Sequence, residues 1–162
     1  MIPMINAPLA IVVHALSATG AFIIGIILLF QRNTLRQLQL GVAFLVLLLL
    51  LEIFLVIAIL SHVTSLPGIM QIIFGGLAIL GLYMIWRAVQ ALSVLREPHP
   101  NQEAVIDHIG FNLIALFDGF AIISAIDLGA PGWLVAVIAV GAVALGIYAI
   151  SVRKKTLAIQ SM

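Results

Sequence analysis

LVLLLLLEIFLVIAIL, residues 45–60, is a long apolar run with a single acidic residue, Glu52, near its middle. A run of this length and hydropathy predicts a transmembrane helix, because about 20 apolar residues are needed to cross a bilayer. A carboxylate inside such a helix costs about 3 kcal/mol or more unless it faces protein or water. Glu52 is therefore expected to point into a bundle, where side chains from other helices receive it.

The composition of the whole chain is that of a membrane protein. Of its 162 residues, 64% are hydrophobic and 8% are charged, whereas about a quarter of the residues in soluble domains are charged. No stretch is polar enough to form a separate soluble domain, so we predict an all-α protein with one transmembrane domain over residues 1–162. The chain has no cysteine, which excludes disulfides, thiolate metal sites and cysteine nucleophiles. The net charge of +1 gives no reason to expect nucleic acid as a partner.

Five apolar runs, separated by turn residues and charges, predict five membrane-spanning helices. We place them at about residues 7–31, 38–61, 69–95, 105–126 and 133–152. The connections are short, so consecutive helices are expected to be antiparallel neighbours in a bundle that contacts the lipid bilayer. On the first helix, Ala18, Ala21 and Gly25 share one face with His14, and such small residues predict a close helix contact.

The distribution of basic residues predicts how the chain is oriented. In the five-helix arrangement, every lysine and arginine that flanks a helix falls on the same side. These residues are Arg32, Arg36, Arg96, Arg153, Lys154 and Lys155, and Arg87 lies near the same end of the third helix. Because Lys and Arg accumulate in cytoplasmic loops, we predict an outside N-terminus and a cytoplasmic C-terminus. The expected location is the plasma (inner) membrane of a prokaryote.

Three ionisable residues inside the predicted helices are the candidate functional site. Counted from the outer helix ends at 1.5 Å per residue, His14, Glu52 and Asp118 all lie about 10–14 Å below the outer surface. A carboxylate in hydrocarbon has to be neutralised, paired or hydrated, so the three side chains are expected to converge inside the bundle. Two carboxyl groups and one imidazole form a set of oxygen and nitrogen donors that suits a proton or a cation.

This trio allows two interpretations. In the first, it binds a proton or cation in a transport, channel or sensing role, and any metal would use His14, Glu52 and Asp118 as ligands. In the second, the chain is an accessory or assembly subunit of a larger membrane complex, and the polar side chains only hold helices in register. Five helices enclose only a narrow space, so a homo-oligomer or a larger complex is expected in both cases.

A third interpretation is a membrane redox protein with haem, quinone or a divalent metal at the same site. Two histidines on facing helices can bind a haem iron from both sides, and His14 and His62 are the candidates if the second helix continues to about residue 65. No HExxH zinc motif and no GxSxG hydrolase motif occurs in the chain. The sequence therefore favours a non-enzymatic role and names no cofactor.

A second polar cluster is predicted near the cytoplasmic surface. Arg87 lies near the end of the third helix, and Asp107 and His108 lie near the start of the fourth. The short connection makes these two helices neighbours, so we predict an ion pair between Arg87 and Asp107, with His108 beside it. Asn101 is the expected N-cap of the fourth helix.

Overall fold

The computed structural model describes residues 7–62 and 68–160, and all regular secondary structure in these ranges is helical. Five helices follow one another along the chain: α1 (Ala7–Phe30), α2 (Thr34–His62), α3 (Gly68–Leu95), α4 (Gln102–Asp127) and α5 (Gly132–Gln160). Each contains a stretch that is long and apolar enough to cross a membrane. The prediction of five such helices is confirmed, although α5 continues to Gln160 instead of ending near residue 152.

The ends of α4 show how local sequence delimits a helix. The side-chain oxygen of Asn101 accepts hydrogen bonds from the N–H groups two and three residues further on, at 3.1 and 3.2 Å, as predicted for an N-cap. At the other end, Gly129 has a φ of 75°, and the N–H of Ala130 donates to the carbonyl of Ala125 at 3.0 Å. This left-handed glycine ends the helix in a Schellman motif and turns the chain into α5.

The helices pack as a four-helix ring with one helix outside it. Each of α1, α2 and α3 packs against the next helix in the chain, and α4 closes the ring against α1. Helix α5 packs mainly on α4. Near its C-terminal end, the guanidinium of Arg153 donates two hydrogen bonds, of 3.1 and 3.0 Å, to the carbonyl of Leu29 at the end of α1. The arginine also lies over the ring of Phe30, so it ties α5 to the ring.

The bundle has two halves with different packing. We call the half nearer the loops that carry Arg32 and Arg96 the basic half, and the other the distal half. The buried apolar core lies mostly in the basic half and includes Leu28, Phe44, Met84, Ala88, Leu95, Val105 and Ile109. Small residues allow this close packing: a Cβ added at Gly25 would lie 2.8 Å from Leu113 and 2.9 Å from Phe44. The face of α1 that carries Gly25 is therefore a helix contact, as predicted.

Candidate functional site

Helix α1 brings His14 against α2. Its side chain is half-buried, and the Nδ1 atom lies 3.0 Å from the carbonyl oxygen of Leu51. A backbone carbonyl inside an α-helix already accepts a bond from the fourth residue after it, so Leu51 accepts a second hydrogen bond from the imidazole. Because a carbonyl oxygen can only accept, Nδ1 is the donor in this hydrogen bond. His14 thus contacts the turn of α2 that carries Glu52.

Glu52 lies inside the four-helix ring and faces α3. Its side chain is 5% exposed, and neither carboxyl oxygen has a hydrogen-bond partner among the described residues. The carboxyl group packs directly against Gly81, where a Cβ would overlap Oε2. Glycine at this position of α3 therefore provides the space that the carboxyl group occupies. A buried acid without a partner is costly, so this is the strongest candidate for a ligand-binding group in the described chain.

Asp118 lies on a different side of α4. At 100° per residue it is about 140° around the helix from the core residue Leu113. It lines a cavity of about 260 Å³ between α4 and α5, together with Ala139, Val140 and Val143. Its Oδ1 atom is enclosed and has no hydrogen-bond partner among the described residues. The carboxyl group of Asp118 thus faces α5.

The three predicted site residues share a height but not one common contact. Measured from the basic ends of their helices, His14, Glu52 and Asp118 all lie about 24–27 Å along the bundle. His14 contacts the turn of α2 that carries Glu52, whereas Asp118 is on the α5 side of α4. Within residues 7–62 and 68–160, no group of three or more His, Cys, Asp or Glu side chains is arranged to hold a metal ion. A shared site of all three, and its ligand, stay predictions.

The haem hypothesis depends on a residue that the structure describes only in part. That hypothesis needs α2 to continue to about residue 65, whereas the structure describes α2 as far as His62, whose side chain lies outside the described part of the chain. On α1, the Nδ1 atom of His14 is taken up by the carbonyl of Leu51. Only Nε2 of His14 therefore remains for an iron ligand, and the haem, quinone and metal alternatives stay predictions.

The second cluster forms at the basic end, with different partners from those expected. Arg87 reaches α4, but its Nη2 atom donates to the backbone carbonyl of Asp107 at 2.7 Å. The carboxylate of Asp107 pairs instead with Lys154 of α5, at 2.6 Å. The reason is that α5 stays helical beyond residue 152 and packs on α4 in the opposite direction, which brings its last turns beside the first turns of α4. Where we expected an Arg87–Asp107 ion pair, the two residues meet through the main chain.

Aromatic residues hold Arg87 in this position. Its guanidinium lies 5.3 Å from the ring centroid of Phe111, and Tyr83 packs edge-on against the same ring, with centroids 5.1 Å apart. His108 is half-buried beside this cluster, and its Nδ1 atom has no hydrogen-bond partner in the described chain. Arg87 and Asp107 are thus in contact, Lys154 is the member that was not predicted, and a role of His108 in this cluster stays a prediction.

The sequence analysis also missed two buried amides. Asn112 is fully buried, and its Nδ2 atom donates to the carbonyl of Met84 at 3.0 Å, which joins α4 to α3. Gln37 is buried at the basic end and donates to Gln102 at 3.0 Å, which joins α2 to α4. For Asn112, the available signal was a polar amide inside an otherwise apolar run, because such side chains form hydrogen bonds between membrane helices.

Comparisons of the chain with protein-family models, with curated proteins and with solved structures found no match.

Proposed function

We propose that this chain is an integral membrane protein that binds a proton at Glu52, with His14 beside it, in a transport, channel or sensing role. The observation that supports this most directly is the burial of a carboxyl group with no hydrogen-bond partner in the described chain. Intramembrane acids are expensive, and they mark proton relays and ion pathways far more often than they serve packing. Asp118, at the same height on the α5 side, is proposed as a separate polar group.

A proton fits this site better than a metal cation does. One carboxyl group is enough to bind a proton, whereas a hard cation such as Ca²⁺ or Mg²⁺ requires about six oxygen ligands. The Glu52 carboxyl group packs against Gly81, which offers it no side-chain ligand. His14 of α1 bonds the carbonyl of Leu51, the residue before Glu52 on α2.

Proton movement through the purified protein tests the transport form of this proposal. Full-length protein is reconstituted into vesicles that contain a pH-sensitive dye, and a pH gradient is imposed. We expect the wild type to dissipate the gradient faster than protein-free vesicles and Glu52→Gln to return to the protein-free rate. The matched control is Glu97→Gln, because Glu97 is exposed in the α3–α4 connection. Equal rates for Glu52→Gln and the wild type would contradict a role of Glu52 in transport.

The proposed orientation has the N-terminus outside and the basic ends of the helices in the cytoplasm, because the flanking lysines and arginines lie on one side. The absence of native cysteine allows a direct test with single cysteines. In intact cells, a membrane-impermeant maleimide should label Ala130→Cys in the α4–α5 turn. It should label Glu97→Cys only after the cells are opened. The reverse labelling pattern would invert the proposed orientation.

A second candidate function is that of an accessory or assembly subunit, and the exposure of α5 favours it. In the most apolar stretch of α5, only 6% is buried by the rest of the chain, whereas the corresponding share in the other helices is 17–28%. We propose that this uncovered helix packs against a second copy or against another membrane protein. Cross-linking in native membranes through a photoreactive residue at Val140, which is exposed on α5, would test it. A monomer-only product would exclude α5 as the contact.

A further inference from the structure

The second feature of the bundle with ligand-binding character is a groove at the basic end. It lies between α4 and α5 and has a volume of about 220 Å³. Its walls are mostly apolar, and its end is polar. The lining residues are Asp107, Phe111, Ile114, Ile147, Ile150, Ser151 and Lys154. None of these belongs to the proposed proton site at Glu52.

The groove has the length and the polarity of a lipid-binding site. Its polar end is formed by the Lys154 ammonium, the Asp107 carboxylate and the Ser151 hydroxyl group. From Lys154 to Ile147 on α5, the apolar wall extends about 10 Å along the helix, away from the basic end. A lipid bound here would place its headgroup at the level of the basic loops and one acyl chain along the apolar wall, as the bilayer itself does.

The charges at the polar end match a phosphodiester group. Two cations contact Asp107 at different groups: Lys154 pairs with its carboxylate at 2.6 Å, and Arg87 donates to its backbone carbonyl at 2.7 Å. Arg87 also lies over the ring of Phe111, which is one of the groove residues. The cluster keeps one net positive charge, and a phosphodiester carries one negative charge. Basic pockets between helices on the cytoplasmic side are typical sites for anionic headgroups.

We propose that the groove between α4 and α5 binds an anionic phospholipid, with its phosphate at Lys154 and Arg87 and one acyl chain against Phe111, Ile114 and Ile147. The inference rests on the proposed membrane location and orientation, and it is independent of proton binding at Glu52. In this arrangement, Asp107 holds the Lys154 ammonium at the end of the groove and also competes with the phosphate for it.

The test is a lipid titration of the detergent-purified full-length protein, followed by native mass spectrometry. Phosphatidylglycerol is the probe, and phosphatidylcholine with the same acyl chains is the comparison lipid. We expect the wild type to bind phosphatidylglycerol about fivefold more tightly than phosphatidylcholine, because one uncompensated basic charge near the headgroups favours an anionic lipid by about that factor. Equal affinities for the two lipids would overturn the proposal.

Three variants separate lipid binding from a purely structural ion pair. Lys154→Gln should abolish the preference for the anionic lipid, whereas Lys155→Gln, which removes an exposed charge at the next position, should keep it. Asp107→Asn should strengthen the preference, because it removes the competing acid. If the ion pair were only structural, Lys154→Gln and Asp107→Asn would have the same effect, and that result would overturn the proposal. Equal losses in the two lysine variants would also do so.

A double variant covers the case in which Lys154→Gln does not fold. Asp107→Asn with Lys154→Gln removes both members of the ion pair and leaves Arg87 as the remaining cation of the cluster. It should bind phosphatidylglycerol about fivefold more weakly than Asp107→Asn alone, which keeps both cations. Glu52→Gln should keep the wild-type lipid preference. Loss of proton flux with intact lipid binding would therefore affect only the role of Glu52, and unselective lipid binding with intact flux would refute only the lipid site.

Discussion

The basic half and the distal half of the bundle differ in what fills the space between their helices. In the basic half, Leu28, Phe44 and Ile109 form a continuous buried apolar core. In the distal half, the space between α2 and α3 holds the Glu52 carboxyl group, which packs against Gly81. The two halves therefore differ in role: the basic half stabilises the fold, and the distal half carries an energetically costly polar group.

This division follows from where the chain places small and large residues. In the basic half, Gly25 and Gly41 let large side chains from neighbouring helices approach closely, with Phe44 and Leu113 against Gly25 and Leu92 against Gly41. Dispersion contacts of this kind drive helix association in lipid, where no hydrophobic effect operates between helices. In the distal half, Gly75 and Gly76 of α3 have no neighbouring atoms within 4 Å of an added Cβ. Helix α3 therefore packs less closely there.

The largest expected effect comes from opening the core of the basic half. Phe44→Ala should lower the free energy of unfolding by about 3 kcal/mol, because the fully buried ring leaves a cavity among packed side chains. Its control on the same helix is Phe54→Ala in the distal half, where the ring is only half-buried. Unfolding in mixed micelles with increasing SDS measures both. Equal losses at the two positions would contradict the difference between the halves.

The next effect tests the contact between Glu52 and α3. Gly81→Ala should cost about 1–3 kcal/mol, because the new methyl group overlaps the Glu52 carboxyl group. Gly75→Ala on the same helix should instead be neutral or stabilising by up to about 1 kcal/mol, since alanine favours the helix and meets no neighbour.

A double variant sharpens this prediction. Glu52→Ala removes the side chain that the new methyl group would meet, so Gly81→Ala should cost much less in the Glu52→Ala background than in the wild type. The same SDS titration gives the coupling free energy of the pair. Additive losses would show that Glu52 and Gly81 do not share the contact described above.

The smallest effect concerns the hydrogen bond of the distal half. His14→Phe removes the bond from Nδ1 to the Leu51 carbonyl and keeps a ring of similar size, and we expect a loss of about 0.6 kcal/mol. If His14 passes protons to Glu52, proton flux should fall strongly even though the protein stays folded. A variant with wild-type flux would leave His14 only as a helix contact.

Some features of the fold could be predicted from the sequence because they leave a strong local signal, and others could not. Hydropathy averaged over about 20 residues is a strong signal, so the five helices were predictable, and the capping chemistry of Asn101 gave the start of α4. The end of α5 could not be predicted in this way. Basic residues near the membrane surface mark the end of an apolar run, but a helix can continue beyond them. The pairing of Lys154 with Asp107 was missed for that reason.

The candidate site was predictable in part. The free-energy cost of placing a carboxyl group in a membrane identifies Glu52 and Asp118 as unusual residues. The rise of 1.5 Å per residue along a helix gives their common height. The rotation of each helix about its axis has no comparable signal, because nearly every face of these helices is apolar. The position of Asp118 on the α5 side and the role of Gly81 opposite Glu52 depend on that rotation. They became visible only with the packed bundle.

Chemical labelling tests most directly whether Glu52 holds a proton inside the membrane, as we propose. An apolar carbodiimide enters the bilayer and reacts with protonated carboxyl groups, and mass spectrometry of the reconstituted full-length protein identifies the modified residue. We expect Glu52 to be modified at neutral pH and its modification to decrease as the pH rises. The exposed Glu97 should stay unmodified. An unmodified Glu52 at every pH would contradict the proposal.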